Sequence, residues 1–146
     1  MISEEDEYSK VNKDAPTESE IFNEGINILK LPVFTRYKLS FYNGKDKPEI
    51  FVAIRGYVYD VTSNKKSYGP GKSYHRLAGK DSSRLLGLNT LRLELTKVDS
   101  FPEQRTWYCD DFNDKQNATL DKWVAFFRKR YRIVGIVGDH DPLSLS

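Results

Sequence analysis

The most restrictive feature of the chain is a pair of β-rich runs separated by only two residues. Ile50-Phe51-Val52-Ala53-Ile54 leads into Arg55-Gly56, and Tyr57-Val58-Tyr59-Asp60-Val61 follows. β-Branched and aromatic residues at this density favour extended backbone, and a two-residue connection containing Gly predicts a tight hairpin. Upstream, Thr35 predicts a helix N-cap, with one or two turns over Arg36 to Tyr42 that end at Asn43-Gly44. Downstream, residues 62–79 read as a polar loop holding three glycines and one proline. Asp81 or Ser82 predicts the cap of a helix from Ser83 to Leu88. Leu91, Leu93 and Leu95 alternate like a short strand. Thr119 predicts the start of an amphipathic helix running to Arg130, apolar at 120, 123, 124, 127 and 131. Ile133 to Val137 predicts a last strand. Helices and strands intermix without a βαβ rhythm, so the fold class is α+β.

Charge divides the chain. Residues 1–30 hold 3 Lys/Arg against 8 Asp/Glu, whereas residues 31–146 hold 20 against 13. A charged segment almost without apolar residues cannot offset its ordering entropy, so residues 1–20 are expected to be disordered. Ile21 to Leu31 regains apolar residues and is expected to pack on the domain as a short arm. The expected organisation is an acidic, largely disordered segment 1–31, one domain over 32–138, and a loose tail 139–146. No apolar stretch approaches the ~18 residues needed to span a bilayer, and MISEEDEYSK has no apolar secretory core. One cysteine excludes an internal disulfide framework and a multi-Cys zinc module, and two histidines argue against a His-rich metal site. A reducing, cytosol-facing environment is the default expectation.

Several motifs invite chemistry. Tyr68-Gly-Pro-Gly-Lys-Ser-Tyr74 ends like a phosphate loop, but the first glycine of that motif would fall on Lys66, and Pro70 removes a backbone donor. Nucleotide binding is excluded on that spacing. Cys109, between Tyr108 and Asp110, lacks the cationic neighbours that activate a thiol. The basic run Arg128-Lys-Arg-Tyr-Arg132 complements a helix C-terminus and offers a patch for an anionic lipid surface. Without a base-reading motif, no nucleic-acid partner is expected. Composition alone favours surface hydrogen bonding for Tyr68, Tyr74 and Tyr131, although a phenolate is an established axial ligand of haem iron. Lys72, Arg76 and Arg130 are the cations that would help such a phenol lose its proton.

Three strings then occur in order: F-T-x-x-x-L-x-x-Y-N-G (Phe34 to Gly44), I-F-V-A-I-R-G-Y-V-Y-D-V-T (Ile50 to Thr62) and Y-G-P-G-K-S-Y-H-R-L-A-G-K-D-S-S-R (Tyr68 to Arg84). With F-R-K-R-Y-R-I-V-G (Phe127 to Gly135), they resemble the membrane-associated progesterone receptor family of cytochrome b5-like haem/steroid-binding domains. The likeness covers about residues 32–137 and is poor over 89–118. It implies a cytochrome b5-like fold, a small mixed sheet with helices flanking a haem cleft. The His-Pro-Gly-Gly ligand motif of true cytochromes b5 is absent.

By this resemblance Tyr74 is the axial ligand of a ferric haem b, and Tyr68 is a hydroxyl beside it. Arg130-Tyr131 falls on the family's Lys-Tyr pair, and Asp81 is read as a helix cap. Lys72-Ser73 and His75 stand where the family has Gly-Pro and Gly, so Lys72 borders the site and His75 becomes a rival or sixth ligand. The membrane anchor common in animal members has no counterpart in residues 1–31. The implied role is non-enzymatic: a haem-binding partner or regulator of endomembrane cytochrome P-450 enzymes in sterol metabolism. It would act at the cytoplasmic face of the endoplasmic reticulum or in the cytosol. A sterol ligand and a homodimer stacked through haem are further implications. The alternative is a haem-free sterol/lipid-binding or protein-interaction module on the same fold.

Overall fold

A computed structural model describes residues 15–91 and 105–138. The elements are α1 (Glu18–Glu24), β1 (Val33–Phe34), α2 (Arg36–Leu39), β2 (Phe51–Ile54), β3 (Tyr57–Asp60), α3 (Lys65–Tyr68), α4 (Ser83–Gly87), α5 (Asp114–Arg130) and β4 (Arg132–Val137). Single 3-10 turns lie at Ile28–Lys30, Thr62–Asn64 and His75–Leu77.

The expected hairpin is β2–β3, paired antiparallel with Ile54 opposite Tyr57. Arg55 and Gly56 both take positive φ, 50° and 84°. Two consecutive left-handed residues make the tight turn whose twist suits a hairpin, and Gly56 adopts that backbone without steric cost. β4 adds antiparallel to β3 and β1 adds parallel to β4, so the four-stranded sheet is mixed, in the order β1-β4-β3-β2. β2 is buried along its whole length because both sheet faces are covered. Val52 and Ile54 point into a core with Leu86, Leu120, Trp123, Phe127 and Ile133, while Phe51 and Ala53 point into a second one with Phe34, Leu39 and Val58. The alternation of side chains along one strand thus serves two cores.

Two expectations need correction. The long helix starts six residues before the predicted one, at Asp114 after the N-cap Asn113. Asn113 Oδ1 accepts from Gln116 N at 2.8 Å and Gln116 Oε1 accepts from Asn113 N at 2.9 Å, a reciprocal capping box. Thr119 lies inside the helix, its hydroxyl turned back onto the Lys115 carbonyl. The second correction concerns residues 18–20, expected to be disordered ahead of the 21–31 arm. Residues 18–24 form a helix capped by Thr17, in contact with α5 and β4. Its one buried side chain is polar, Asn23, which is why an apolar-periodicity reading passes over it. Residues 1–14, the expected strand positions Leu93 and Leu95, and the tail 139–146 lie outside the described residues. Leu91 packs half-buried against the larger core.

The two candidate caps predict different costs. Asn113→Ala should lower unfolding free energy by about 1 kcal/mol, read as a lower urea midpoint at unchanged slope. Thr119→Ala should be near neutral, since alanine is the better helix former at an interior position.

Candidate functional site

Tyr68 ends α3 and is fully buried. After it the chain reverses within six residues. Gly69 leaves only 2.6 Å between a would-be Cβ and the Lys65 carbonyl oxygen, so no side chain fits there. Gly71 takes φ +78°, the left-handed region that glycine occupies freely. Lys72 N donates to Gly69 O at 3.0 Å and Tyr74 N donates to Ser67 O at 2.8 Å, returning the loop to the helix it left. The Tyr74 ring consequently lies 5.9 Å from that of Tyr68, half-buried against the larger core.

Tyr131 reaches the same place from α5. Its ring centroid is 6.0 Å from Tyr68 at 88° and 5.2 Å from Phe127, and its hydroxyl accepts from Asn64 Nδ2 at 3.0 Å. Phe127 also meets Tyr68 and Tyr59 edge-on. Edge-to-face packing aligns positive ring edges with negative ring faces and fixes each ring's orientation. A cavity of about 200 Å³ opens beside Tyr131, lined by Ser19, Asp60, Thr62, Ser63, Arg130 and Arg132.

The structure therefore gathers Tyr68, Tyr74, Tyr131 and His75. The His75 Nδ1–H donates to the Tyr68 carbonyl at 2.8 Å, since a carbonyl can only accept, and in the neutral ring this leaves Nε2 as the acceptor nitrogen. Lys72 and Arg76 are exposed, Lys72 in the loop and Arg76 just beyond it. Arg130 is exposed across the cluster, its guanidinium 5.6 Å from the Phe126 ring and 5.9 Å from that of Tyr131. The basic run at 128–132 is not simply a solvated face. Arg128 acts on the buried Tyr59 hydroxyl, and Arg132 lies 4.8 Å over Phe22. Burial pushes the Tyr59 phenol up to about 12, with the Arg128 charge pulling the other way.

Asp81 does more than cap a helix. Its Oδ1 accepts from Ser83 N and Ser83 Oγ at the start of α4, and its Oδ2 accepts from Gly56 N in the hairpin turn. Ser83 Oγ also accepts from Arg55 N at 2.7 Å. One buried carboxylate thus ties α4 to the turn. Two further residues escape the sequence reading. Asn64 holds the Tyr131 hydroxyl, and its place after D-V-T was the only signal for it. Asn23 sits in the 21–31 arm, where no single residue stood out from the sequence.

A larger cleft of about 520 Å³, lined by Arg36, Tyr37, Ser40, Lys80, Thr106 and Trp107 among others, shares no lining residue with the Tyr68, Tyr74 and Tyr131 cluster. The Arg36 guanidinium stacks 5.0 Å from the Trp107 ring. Among the described residues no helix is long and apolar enough to cross a membrane.

A small mixed sheet with helices on its faces is the architecture that comparison with known proteins matches to cytochrome b5-like domains. A family model for the cytochrome b5-like heme/steroid binding domain matches residues 35–90. "Probable steroid-binding protein 3" of Arabidopsis thaliana is 39% identical over 105 residues, 71% of this chain and 96% of that protein. "Cytochrome P450 regulator dap1" of Schizosaccharomyces pombe is 40% identical over 102 residues, 70% of this chain and 60% of that protein. Human "Membrane-associated progesterone receptor component 2" is 36% identical over 104 residues, covering 70% and 43%. Among solved structures, an Arabidopsis thaliana protein with a cytochrome b5-like fold superposes with a TM-score of 0.59 at 38% identity, covering 73% of this chain and 91% of that one. The chain belongs to the membrane-associated progesterone receptor family of cytochrome b5-like haem/steroid-binding domains. It spans about three-fifths of the length of the S. pombe relative and less than half of the human one.

Cys109 is half-buried and its thiol is pushed up to about 12, first by burial and then by the Asp81 carboxylate, with Arg84 opposing. Loss of solvent is the larger cause, the acidic contribution comes from Asp81 and Asp111 rather than the adjacent Asp110, and Arg84 and Arg55 are cations near the thiol that the sequence did not reveal. Because the thiolate is the nucleophile, a maleimide should label native protein far more slowly than urea-unfolded protein at pH 8. The native rate should still be climbing with pH above 9, where an ordinary thiol levels off.

Proposed function

We propose that this chain is a non-enzymatic haem-binding module in which Tyr74 is the axial ligand of ferric haem b. The observation that carries this reading is the folding of the 69–74 loop, which sets a half-buried phenol at the edge of a wall made by Tyr68, Phe127 and Tyr131. An oxygen donor on an apolar aromatic surface suits a flat macrocycle carrying a hard ferric centre. When bound, haem supplies the iron centre and its spectrum, and an anionic oxygen ligand holds that iron at low potential.

The protein's own groups do the rest. Tyr74 would hold the iron through its phenolic oxygen, and Lys72, Arg76 and Arg130 are the exposed cations of the loop and the end of α5. Those cations also suit the propionate carboxylates. Tyr68, with its ring against that of Tyr74, fixes the angle at which Tyr74 stands. Tyr131 closes the wall and is held by Asn64. The His75 ring, tied through Nδ1 to Tyr68 O, is the one competing donor in the loop.

The biological role we propose is partner or regulator of endomembrane cytochrome P-450 enzymes, by likeness to the S. pombe relative named as such a regulator. The setting is the cytoplasmic face of the endoplasmic reticulum or the cytosol, and haem-mediated pairing of two copies belongs to the same reading. A second reading, a haem-free sterol- or lipid-binding or interaction module, is favoured by the 520 Å³ cleft, which falls within the size range of small-ligand pockets.

Haemin titration decides between them. Wild-type protein should bind haemin one-to-one, at micromolar concentration or tighter, with a high-spin ferric tyrosinate spectrum. Tyr74→Phe should lose most of the bound haem and His75→Ala should keep it. Full retention by Tyr74→Phe with loss in His75→Ala would overturn the ligand assignment, and no uptake by wild type would favour the haem-free module.

A further inference from the structure

An α-helix leaves its last carbonyls without intrahelical donors, and a helix that ends in a buried place needs substitutes. The C-terminus of α5 finds them on α1. Thr17 Oγ1 donates to Lys129 O, Ser19 Oγ donates to Arg130 O at 3.2 Å, and Asn23 Nδ2 donates to Arg128 O at 2.9 Å. Three consecutive carbonyls are thus met by three side chains of one short helix and its cap.

Asn23 goes further. Its Nδ2 also donates to Tyr131 O at 2.9 Å, and its Oδ1 accepts from Ile133 N at 2.7 Å. One side-chain amide, 3% exposed, spans the point where the chain leaves α5 and enters β4. Tyr131 is the residue at that point, with φ −127° and ψ 150°, and its ring closes on Tyr68 while its hydroxyl meets Asn64. The arm also lies ahead of residues 35–90, the stretch matched by the family model.

We propose that Asn23 is a positioning residue for the tyrosine cluster: by holding the Tyr131–Arg132 peptide group through its carbonyl and the Arg132–Ile133 group through its N–H, with the Arg128 carbonyl one turn back, it sets where the Tyr131 ring stands. α1 is then a clamp on the binding wall rather than a leader. Its bearing on ligand binding rests on the haem reading above, but the placement of Tyr131 does not.

Asn23→Asp separates the contacts, because a carboxylate still accepts from Ile133 N but cannot donate to the carbonyls of Arg128 and Tyr131. The full-length variant should show a displaced Asn64 side-chain amide resonance in ¹⁵N spectra without haem. It should release haemin to an excess acceptor about tenfold faster than wild type, the loss expected for hydrogen bonds of ordinary strength. Val58→Ala, cut into the core on the other sheet face, serves as a destabilised control and should change neither. If Asn23→Asp does not fold, Asn23→Leu, which removes donor and acceptor together at similar size, is read by the same two signals. An unmoved Asn64 amide in the folded variant, or an equal shift in Val58→Ala, would overturn the proposal. If wild type takes up no haemin, the haem reading fails alone, and the Asn64 resonance still decides the position of Tyr131.

Discussion

The site depends on the complete burial of one tyrosine. Tyr68 touches the rings of Tyr74, Phe127 and Tyr131, which come from a loop and from the end of the longest helix. A ring with no solvent-facing side has few orientations open to it, and close packing passes that restriction to its neighbours. Tyr74 is therefore held from two directions, by its ring contact with Tyr68 and by its backbone bond to Ser67.

A second constraint secures the frame on which that tyrosine sits. The hairpin turn, the start of α4 and residue 106 converge on Asp81, whose carboxylate meets Gly56 and Ser83 while its carbonyl accepts from Thr106 Oγ1 at 2.6 Å. A buried carboxylate is costly unless its oxygens are engaged, and here both are. The arrangement links segments 25 residues apart on either side of Asp81. It also brings α4, which carries Leu85 and Leu86 into the larger core, to the edge of β2.

Local patterns in the sequence were legible where local physics decides structure. The hairpin was readable from residue type and spacing, since extended-backbone preference and a left-handed glycine turn act within a dozen residues. Thr35 as a cap was readable for the same reason, and its hydroxyl accepts from Lys38 N at 3.0 Å. The α5 start was misjudged because both Asn113 and Thr119 have capping chemistry, and the reciprocal partner Gln116 was passed over. The helical start of the arm at 18–20 was missed because its attachment is polar. Helix detection by apolar periodicity does not register a segment held by Thr17, Ser19 and Asn23, whose partners are backbone carbonyls more than 100 residues away.

The sequence by itself determined the β2–β3 hairpin, the α+β class and the resemblance that names Tyr68, Tyr74 and Tyr131 together. Each rests on residues close in sequence or on motif order, which chain connectivity preserves. Only the tertiary structure decided that these three rings meet, that Asn64 and Asn23 hold the Tyr131 end, and that Asp81 serves the turn as well as the helix. Those are contacts across long separations, made by side chains whose partners are set by packing. A string of residue types carries no record of them until the chain has closed on itself.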